Sequence, residues 1–207
     1  RLLLDPLDEN VFVRSMASKN MLGGISELTF PTMVVMRSIF DFIIIETVGV
    51  GQSEILIKDI SDTVILGVQP GSGDTIQFMK SGIFEIPDII VVTKADINKL
   101  AEITYADLYG SKGYFQNQDS WNINIIMTSS FKDIGFDDLY NEISLRWKWL
   151  EDNDNLNSFR LNQDLKWIKN QISKNYGEKG LNKVEKKIEY KGSPFLTLKK
   201  ISEKLDL

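Results

Sequence analysis

Neither cysteine nor histidine occurs anywhere in the 207 residues. Their absence removes disulfides, thiol nucleophiles, Ser-His-Asp triads, Cys-His chemistry and most zinc sites. No apolar run approaches the roughly 20 residues that cross a bilayer, and the amino terminus has no basic, apolar, small-residue cleavage pattern. A soluble, cytoplasmic chain is the expectation. Also missing is any G-x-x-x-x-G-K-[ST] loop that would cradle phosphates. Catalysis is left to carboxylates, lysines, hydroxyls, backbone amides and a hard cation such as Mg²⁺.

What is present suits one domain with an appendage: 43% of the residues are apolar, enough for a sizeable core. The net charge of −5 is uneven, since residues 1–145 carry 10 basic and 20 acidic groups while residues 146–207 carry 14 and 9. A basic tail can mean nucleic acid. Here the lysines alternate with Glu and Asp, which favours a solvated helical surface, and neither nucleic acid nor membrane is expected as a partner.

Short apolar runs alternate with longer helical patterns, the signature of a parallel sheet covered on both faces. The strand candidates are Val11–Arg14, Phe42–Glu46, Thr63–Val68, Ile89–Thr93 and Ile123–Met127. Helices are expected over Ile25–Ile39, Thr75–Glu85 with Asp74 as cap, Ile97–Tyr109, and Phe136 to about Leu150. Beyond Asn153-Asp154-Asn155, residues Leu161, Leu165, Ile168, Ile172 and Tyr176 recur at helical spacing along one face. Tyr176-Gly177 ends that helix, a polar helix follows, and Gly192-Ser193-Pro194 precedes an amphipathic segment, Phe195–Leu205. Such an extension has little core of its own, so its stripe is expected to pack on the sheet domain or on another subunit. The domains read as 1–152 and 153–207.

Four loops carry the chemistry. Phe42–Ile45 runs into Glu46-Thr47-Val48-Gly49-Val50-Gly51-Gln52-Ser53-Glu54, an apolar rod delivering a carboxylate and then a glycine-rich bend. Acids at strand ends often only reach water; the adjacent glycines instead let a backbone approach phosphate oxygens, with the Gly49 amide on a γ-phosphate and Gln52 orienting a water. Thr93-Lys94-Ala95-Asp96 follows a fully apolar strand. In GTP-binding proteins an Asn/Thr-Lys-x-Asp sequence there reads guanine: the Asp accepts from N1–H and the N2 amino group, and the Lys stem packs over the ring. Thr128-Ser129-Ser130, at the end of another apolar strand, is either a helix cap or a source of amides for guanine O6. The loop Gln69-Pro70-Gly71-Ser72-Gly73-Asp74 is either a capped strand-to-helix turn or a mobile segment relaying nucleotide state to a partner.

In this order the motifs closely resemble the methylmalonyl-CoA mutase-associated GTPases, G-protein chaperones also labelled lysine/arginine/ornithine transport kinases. The resemblance rests on Arg14–Gly24, the nine-residue string Glu46–Glu54, Gly71–Asp74 with Gln77, Lys80, Gly82, Glu85 and Asp88, and Thr93–Asp96, and it spans essentially the whole chain. It implies an α/β, P-loop NTPase-like parallel sheet sandwiched by helices, with a carboxyl-terminal helical extension for homodimerisation that contains Arg160, Gln163, Trp167 and Ser193-Pro194-Phe195. It further implies a Mg²⁺-dependent GTPase, binding GTP and GDP, that escorts adenosylcobalamin into an acyl-CoA mutase. Glu46 would approach the metal; Asp96 and Lys94, with Thr93, would read guanine. Ser129, Ser130 and Phe131 would line the base pocket, and Gly71, Ser72, Gly73, Asp74, Gln77 and Lys80 would form the loop that addresses the mutase.

Thr93 stands where the family usually has Asn. The family's phosphate loop and upstream metal-binding Asp residues would precede Arg1, and the chain begins without Met, so a longer open reading frame is expected. The isolated 207 residues are not expected to hydrolyse GTP usefully. A non-catalytic module that binds a partner without turnover is the alternative, and a transport-protein kinase a more distant one.

Overall fold

The computed structural model describes residues 10–16, 25–47, 55–71, 86–114, 121–152 and 154–206. They fall into two compact units, residues 1–56 and 57–207.

The second unit is built on three parallel strands, β1 (Ile65–Val68), β2 (Ile89–Val92) and β3 (Asn124–Met127), in the order β1-β2-β3. Ile65 pairs with Ile89 and Ile89 with Asn124; Val68 pairs with Val92 and Val92 with Met127, so all three strands end at one rim. The central strand β2 is the most apolar, Ile-Ile-Val-Val, and all four residues are buried. That follows from covering both faces of a parallel sheet.

After β2 comes a 3₁₀ turn, Ala95–Ile97, and then a helix, Lys99–Gly110. The helix begins two residues later than its apolar pattern suggests because Asn98, at φ 41° and ψ −101°, lies outside helical backbone. Its Ala101 and Leu108 pack with Val68, Ile90, Val92 and Ile123 into one core. A helix over Phe136–Asp152 packs against β2 and β3 as well, from outside that cluster. With Thr29–Met36 and Ile55–Lys58 ahead of them, we number the helices α1 (Thr29–Met36), α2 (Ile55–Lys58), α3 (Lys99–Gly110), α4 (Phe136–Asp152), α5 (Asn155–Val184) and α6 (Pro194–Leu205).

Two expected strands are not formed. Val11–Arg14 and Phe42–Glu46 take no ladder partner among the described residues, and Ile44 is 92% exposed. An apolar run becomes a strand only when a neighbour takes its backbone groups, and among the described residues neither run, both within the first unit, has such a neighbour. There α1 forms from the middle of the expected 25–39 helix, burying Phe30 and Met33, while Phe12 and Phe40 stack at 6.3 Å. The expected helix over Thr75–Glu85 and its Asp74 cap lie outside the described residues.

The carboxyl-terminal helices supply their own core, contrary to expectation. Ile168 and Ile172 of the α5 stripe pack on Ile201 of α6, flanked by Trp167, Tyr176, Leu198 and Leu205. The chain folds back through Gly177 (φ 67°, ψ 179°), which interrupts the helical geometry where the Tyr-Gly pair predicts a break. Pro194 at the first turn of α6 fits because that position needs no backbone donor. No helix among the described residues is long and apolar enough to cross a membrane.

At the amino-terminal rim of the sheet lies a network that sequence reading missed. Asp88, just before β2, pairs with Arg146 of α4 at 3.1 Å, and its Oδ2 accepts the Val64 amide just before β1 at 2.8 Å. The Arg146 guanidinium lies over Trp149 (4.5 Å) and Trp121 (5.2 Å), and Trp121 donates its indole N–H to the Asp88 carbonyl.

Candidate functional site

The loops at the opposite, carboxyl-terminal rim hold the candidate site. Parallel register forces the loops after β1, β2 and β3 to emerge together, which is where open α/β sheets bind ligands. Thr93 continues β2: its amide donates to the Val68 carbonyl at 2.9 Å and its hydroxyl to the same oxygen at 3.3 Å. The hydroxyl thus ties the loop to the end of β1. Lys94 then turns left-handed and its Nζ donates to Gln69 Oε1 at 3.0 Å, across to the loop after β1. A non-glycine residue held at positive φ stores strain that the surroundings must offset, a pattern concentrated at functional sites. Here the Ala95 amide, donating to the Thr128 carbonyl at 2.9 Å, locks the turn to the loop after β3.

That lock places Asp96 beside Ser129, whose hydroxyl donates to Asp96 Oδ1 at 2.5 Å. Ser129 is fully buried and accepts in turn from the Lys132 amide at 3.1 Å, so its rotamer is fixed from both sides. The Ser129 bond, then the backbone amide of Asp96 itself and the charges of Lys132 and Lys94, hold the Asp96 carboxyl below the usual aspartate range, against the opposing push of burial. Asp96 is therefore a preset anion at the rim, its Oδ1 already oriented.

The loop after β3 closes on itself: the Ser129 amide donates to the Ile134 carbonyl and the Ile134 amide to the Ser129 carbonyl, each at 3.0 Å. Only glycine fits next, because a Cβ on Gly135 (φ 76°) would lie 1.9 Å from the Met127 carbonyl oxygen. With the Ser129 amide taken inside the loop, residues 130–134 are exposed, Phe131 at 85%. Gly71 (φ 71°) opens the loop after β1 beside Leu100 of α3.

The structure thus brings Thr93, Lys94, Asp96, Ser129, Ser130 and Phe131 to one rim. Glu46 belongs to the first unit as a single exposed carboxylate, and Gly49, Gln52, Ser72, Gly73, Asp74, Gln77 and Lys80 lie outside the described residues. Among the described residues no group of three metal-ligating side chains gathers, so Glu46 by itself does not make a Mg²⁺ site. Sequence reading missed Lys132 and Gly135, and placed Gln69 in the loop after β1 without its tie to Lys94. A glycine one residue ahead of an amphipathic helix was the available signal for Gly135.

Parallel strands that deliver Thr-Lys-x-Asp and Thr-Ser-Ser to one rim define an α/β domain of the P-loop NTPase type. The chain belongs to the family described as methylmalonyl-CoA mutase-associated GTPase MeaB, whose profile matches residues 1–185. It is 39% identical over 153 residues to a GTPase-named protein of Pyrococcus horikoshii, covering 72% of this chain and 48% of that one. A second GTPase-named protein, from Pyrococcus abyssi, is 34% identical over 170 residues, 80% of this chain and 52% of its own. A Caenorhabditis elegans protein named methylmalonic aciduria type A homolog, mitochondrial, is 28% identical over 165 residues, 78% of this chain and 41% of its own. The chain spans about half the length of the curated relatives it matches.

Proposed function

We propose that this chain is the guanine-reading part of a cytoplasmic GTP-hydrolysing chaperone that assists adenosylcobalamin loading of methylmalonyl-CoA mutase or a related acyl-CoA mutase. One observation carries the reading: the Ser129 hydroxyl on Asp96 Oδ1 at 2.5 Å holds a carboxylate rigid at the rim where a nucleotide base would sit. A fixed anion with two acceptor oxygens suits the N1–H and N2 donors of guanine, whereas adenine offers no such pair. Lys94 lays its stem over the ring, and O6 takes the amides of Ser130 or Phe131, the Ser129 amide being engaged with Ile134. Thr93 and Ala95 tie that loop to its neighbours, so the base meets a preformed surface.

We assign hydrolysis to residues of the first unit and the segment after it. Glu46 would contribute one carboxylate toward the Mg²⁺ that accompanies the phosphates, the Gly49 amide would register the γ-phosphate, and Gln52 would orient water. The loop from Gly71 to Lys80 addresses the mutase, and residues 153–207 carry a homodimer contact. The family's description and the name of the nematode relative support the mutase as partner.

Calorimetry with GTP and ATP, on this chain and on a version extended upstream by its own gene, tests the reading. GTP binds the extended form and ATP does not. Asp96→Asn weakens GTP roughly hundredfold, as loss of two charge-assisted hydrogen bonds requires, and gains xanthosine triphosphate, whose carbonyl the amide can serve. Equal binding of ATP would remove the role of Asp96.

A further inference from the structure

A groove of about 710 Å³ runs beside β3 between α3 and α4, and base recognition leaves it unused. Asp138, Asn141 and Glu142 of α4 stand at positions i, i+3 and i+4, so helical spacing turns all three toward it. Tyr105 and Tyr109 of α3, stacked at 6.0 Å, form the other wall. Between the walls lies β3, the outer strand of the three, with Lys112 at the end nearest Asn124.

Glu142 sets the chemistry. At 8% exposure it is a buried carboxylate, a placement rare for Glu unless it is paired. Its Oε1 accepts from Asn124 Nδ2 at 2.8 Å, and Lys112 Nζ donates to Asn124 Oδ1 at 3.4 Å without forming an ion pair with Glu142. Oε2 takes no donor among the described residues and is left to the groove. A tie between β3 and α4 asks only for an amide oxygen, which Gln would supply. A carboxylate this enclosed costs free energy until a cation meets it.

Three observations narrow the ligand. Asp138 and Glu142 against Lys112 leave the groove one negative charge in excess, which a single cationic head balances. No three metal-ligating side chains gather among the described residues, so a bare metal ion finds too few donors. An extended partner strand is hindered along β3, because Gly135 crowds the Met127 carbonyl so closely that a Cβ there would lie 1.9 Å from its oxygen. The volume that remains suits a small molecule.

We propose that the groove binds a small organic monocation, an ammonium or guanidinium head on an apolar stem, the head between Glu142 Oε2 and Asp138 and the stem along Tyr105 and Tyr109. The site stands independently of the guanine reading. It ends at Ala95 and Gly135, next to the loops that hold Asp96 and Ser129, and uses neither of those side chains.

Ligand-observed NMR on the full open reading frame that contains this chain tests it, with pentylamine, pentylguanidine and neutral pentanol as probes. At least one of the cations binds saturably, with a dissociation constant of about 1 mM or tighter, and pentanol binds at least roughly tenfold more weakly. Glu142→Gln keeps the acceptor for Asn124, yet weakens the cation roughly tenfold while leaving pentanol unmoved. Asp138→Asn weakens it about threefold and carries the measurement if Glu142→Gln does not fold. Asp137→Asn, which removes the same charge from the exposed neighbour outside the groove, changes nothing. Equal binding of amine and alcohol, an equal loss with Asp137→Asn, or no saturation by about 50 mM overturns the proposal.

Discussion

Arg146 is the side chain whose removal the sheet should tolerate least. Its guanidinium is 0% exposed, the paired Asp88 carboxylate is 2% exposed, and both stand at the rim away from the candidate site. Arg146→Ala leaves the Asp88 charge buried with the Val64 amide as its remaining close tie among the bonds described above. Breaking a buried pair from one side costs about 3–5 kcal/mol, because the surviving charge stays desolvated. Stacking over Trp121 and Trp149 belongs to the same burial and adds about 1 kcal/mol more. About 5 kcal/mol together, at ~2–4 °C per kcal/mol for a chain of this size, lowers the melting temperature by about 10–20 °C. Thermal unfolding followed by far-UV circular dichroism is the assay, with urea unfolding for the free energy, since tryptophan emission would respond to the substitution itself.

The comparison that isolates the cause is Arg146→Met with Asp88→Asn. Removing both charges while keeping a carboxamide oxygen for the Val64 amide should restore most of the loss, so the double variant is more stable than either single one. Additive losses, or an Arg146→Ala cost under about 1 kcal/mol, would refute the view that an ion pair clamps this rim.

Two further outcomes concern the site. Ser129→Ala removes the largest influence holding the Asp96 carboxyl low, so its titration midpoint, read from the carboxyl carbon by NMR, moves up toward the ordinary aspartate value. The sign follows from a depressed folded-state pKa: what Asp96 contributes to stability is complete above the unfolded-state value and is lost as pH falls through the lower folded-state one. Guanine binding through Asp96 is accordingly flat between about pH 6 and 8, and an Asp96 midpoint unmoved by Ser129→Ala would contradict the assigned cause. Gly135→Ala sets a Cβ 1.9 Å from a backbone oxygen at φ 76°, and should cost at least about 2 kcal/mol in urea unfolding; a neutral substitution would mean the loop after β3 is not built around that glycine.

How far the chain can be read from its letters depends on which interactions are local. The strands β1, β2 and β3 were legible because each is a short apolar run bounded by polar turns, and the alternation of strand and helix already implied parallel pairing. The same reasoning over-reached at Phe42–Glu46, where the letters are as apolar as those of β2 but strand formation depends on a partner edge far away in sequence. The Thr93–Asp96 and Thr128–Ser130 motifs were visible as short strings, while the bond joining them, Ser129 to Asp96, spans 33 residues and leaves no local trace. Asp88 with Arg146, and Arg160 with Asp62, were hidden for the same reason. Charges on separate elements look like solvated surface until the fold shows one pair fully buried.

The α5 stripe marks a subtler boundary. Its spacing announced an apolar face correctly, and the error lay in what covers that face: Ile201 and Leu198, from a helix about 30 residues further on, supply the cover within the chain. A homodimer through residues 153–207 must then use surface other than the Ile168–Ile172 face, or open the α5–α6 pair first. Opening would expose the Ile168, Ile172 and Ile201 cluster to water, at about 1.5–3 kcal/mol for each buried aliphatic side chain. An association that kept the pair closed avoids that cost and would use the outer faces of α5 and α6, whose exposed side chains are mainly Lys and Asn with few Glu. Copies meeting on these lysine-rich faces would repel at low ionic strength and associate better as salt screens the charge, whereas a dimer formed by swapping α6 would not depend on salt in this way, so sedimentation at low and high ionic strength separates the two.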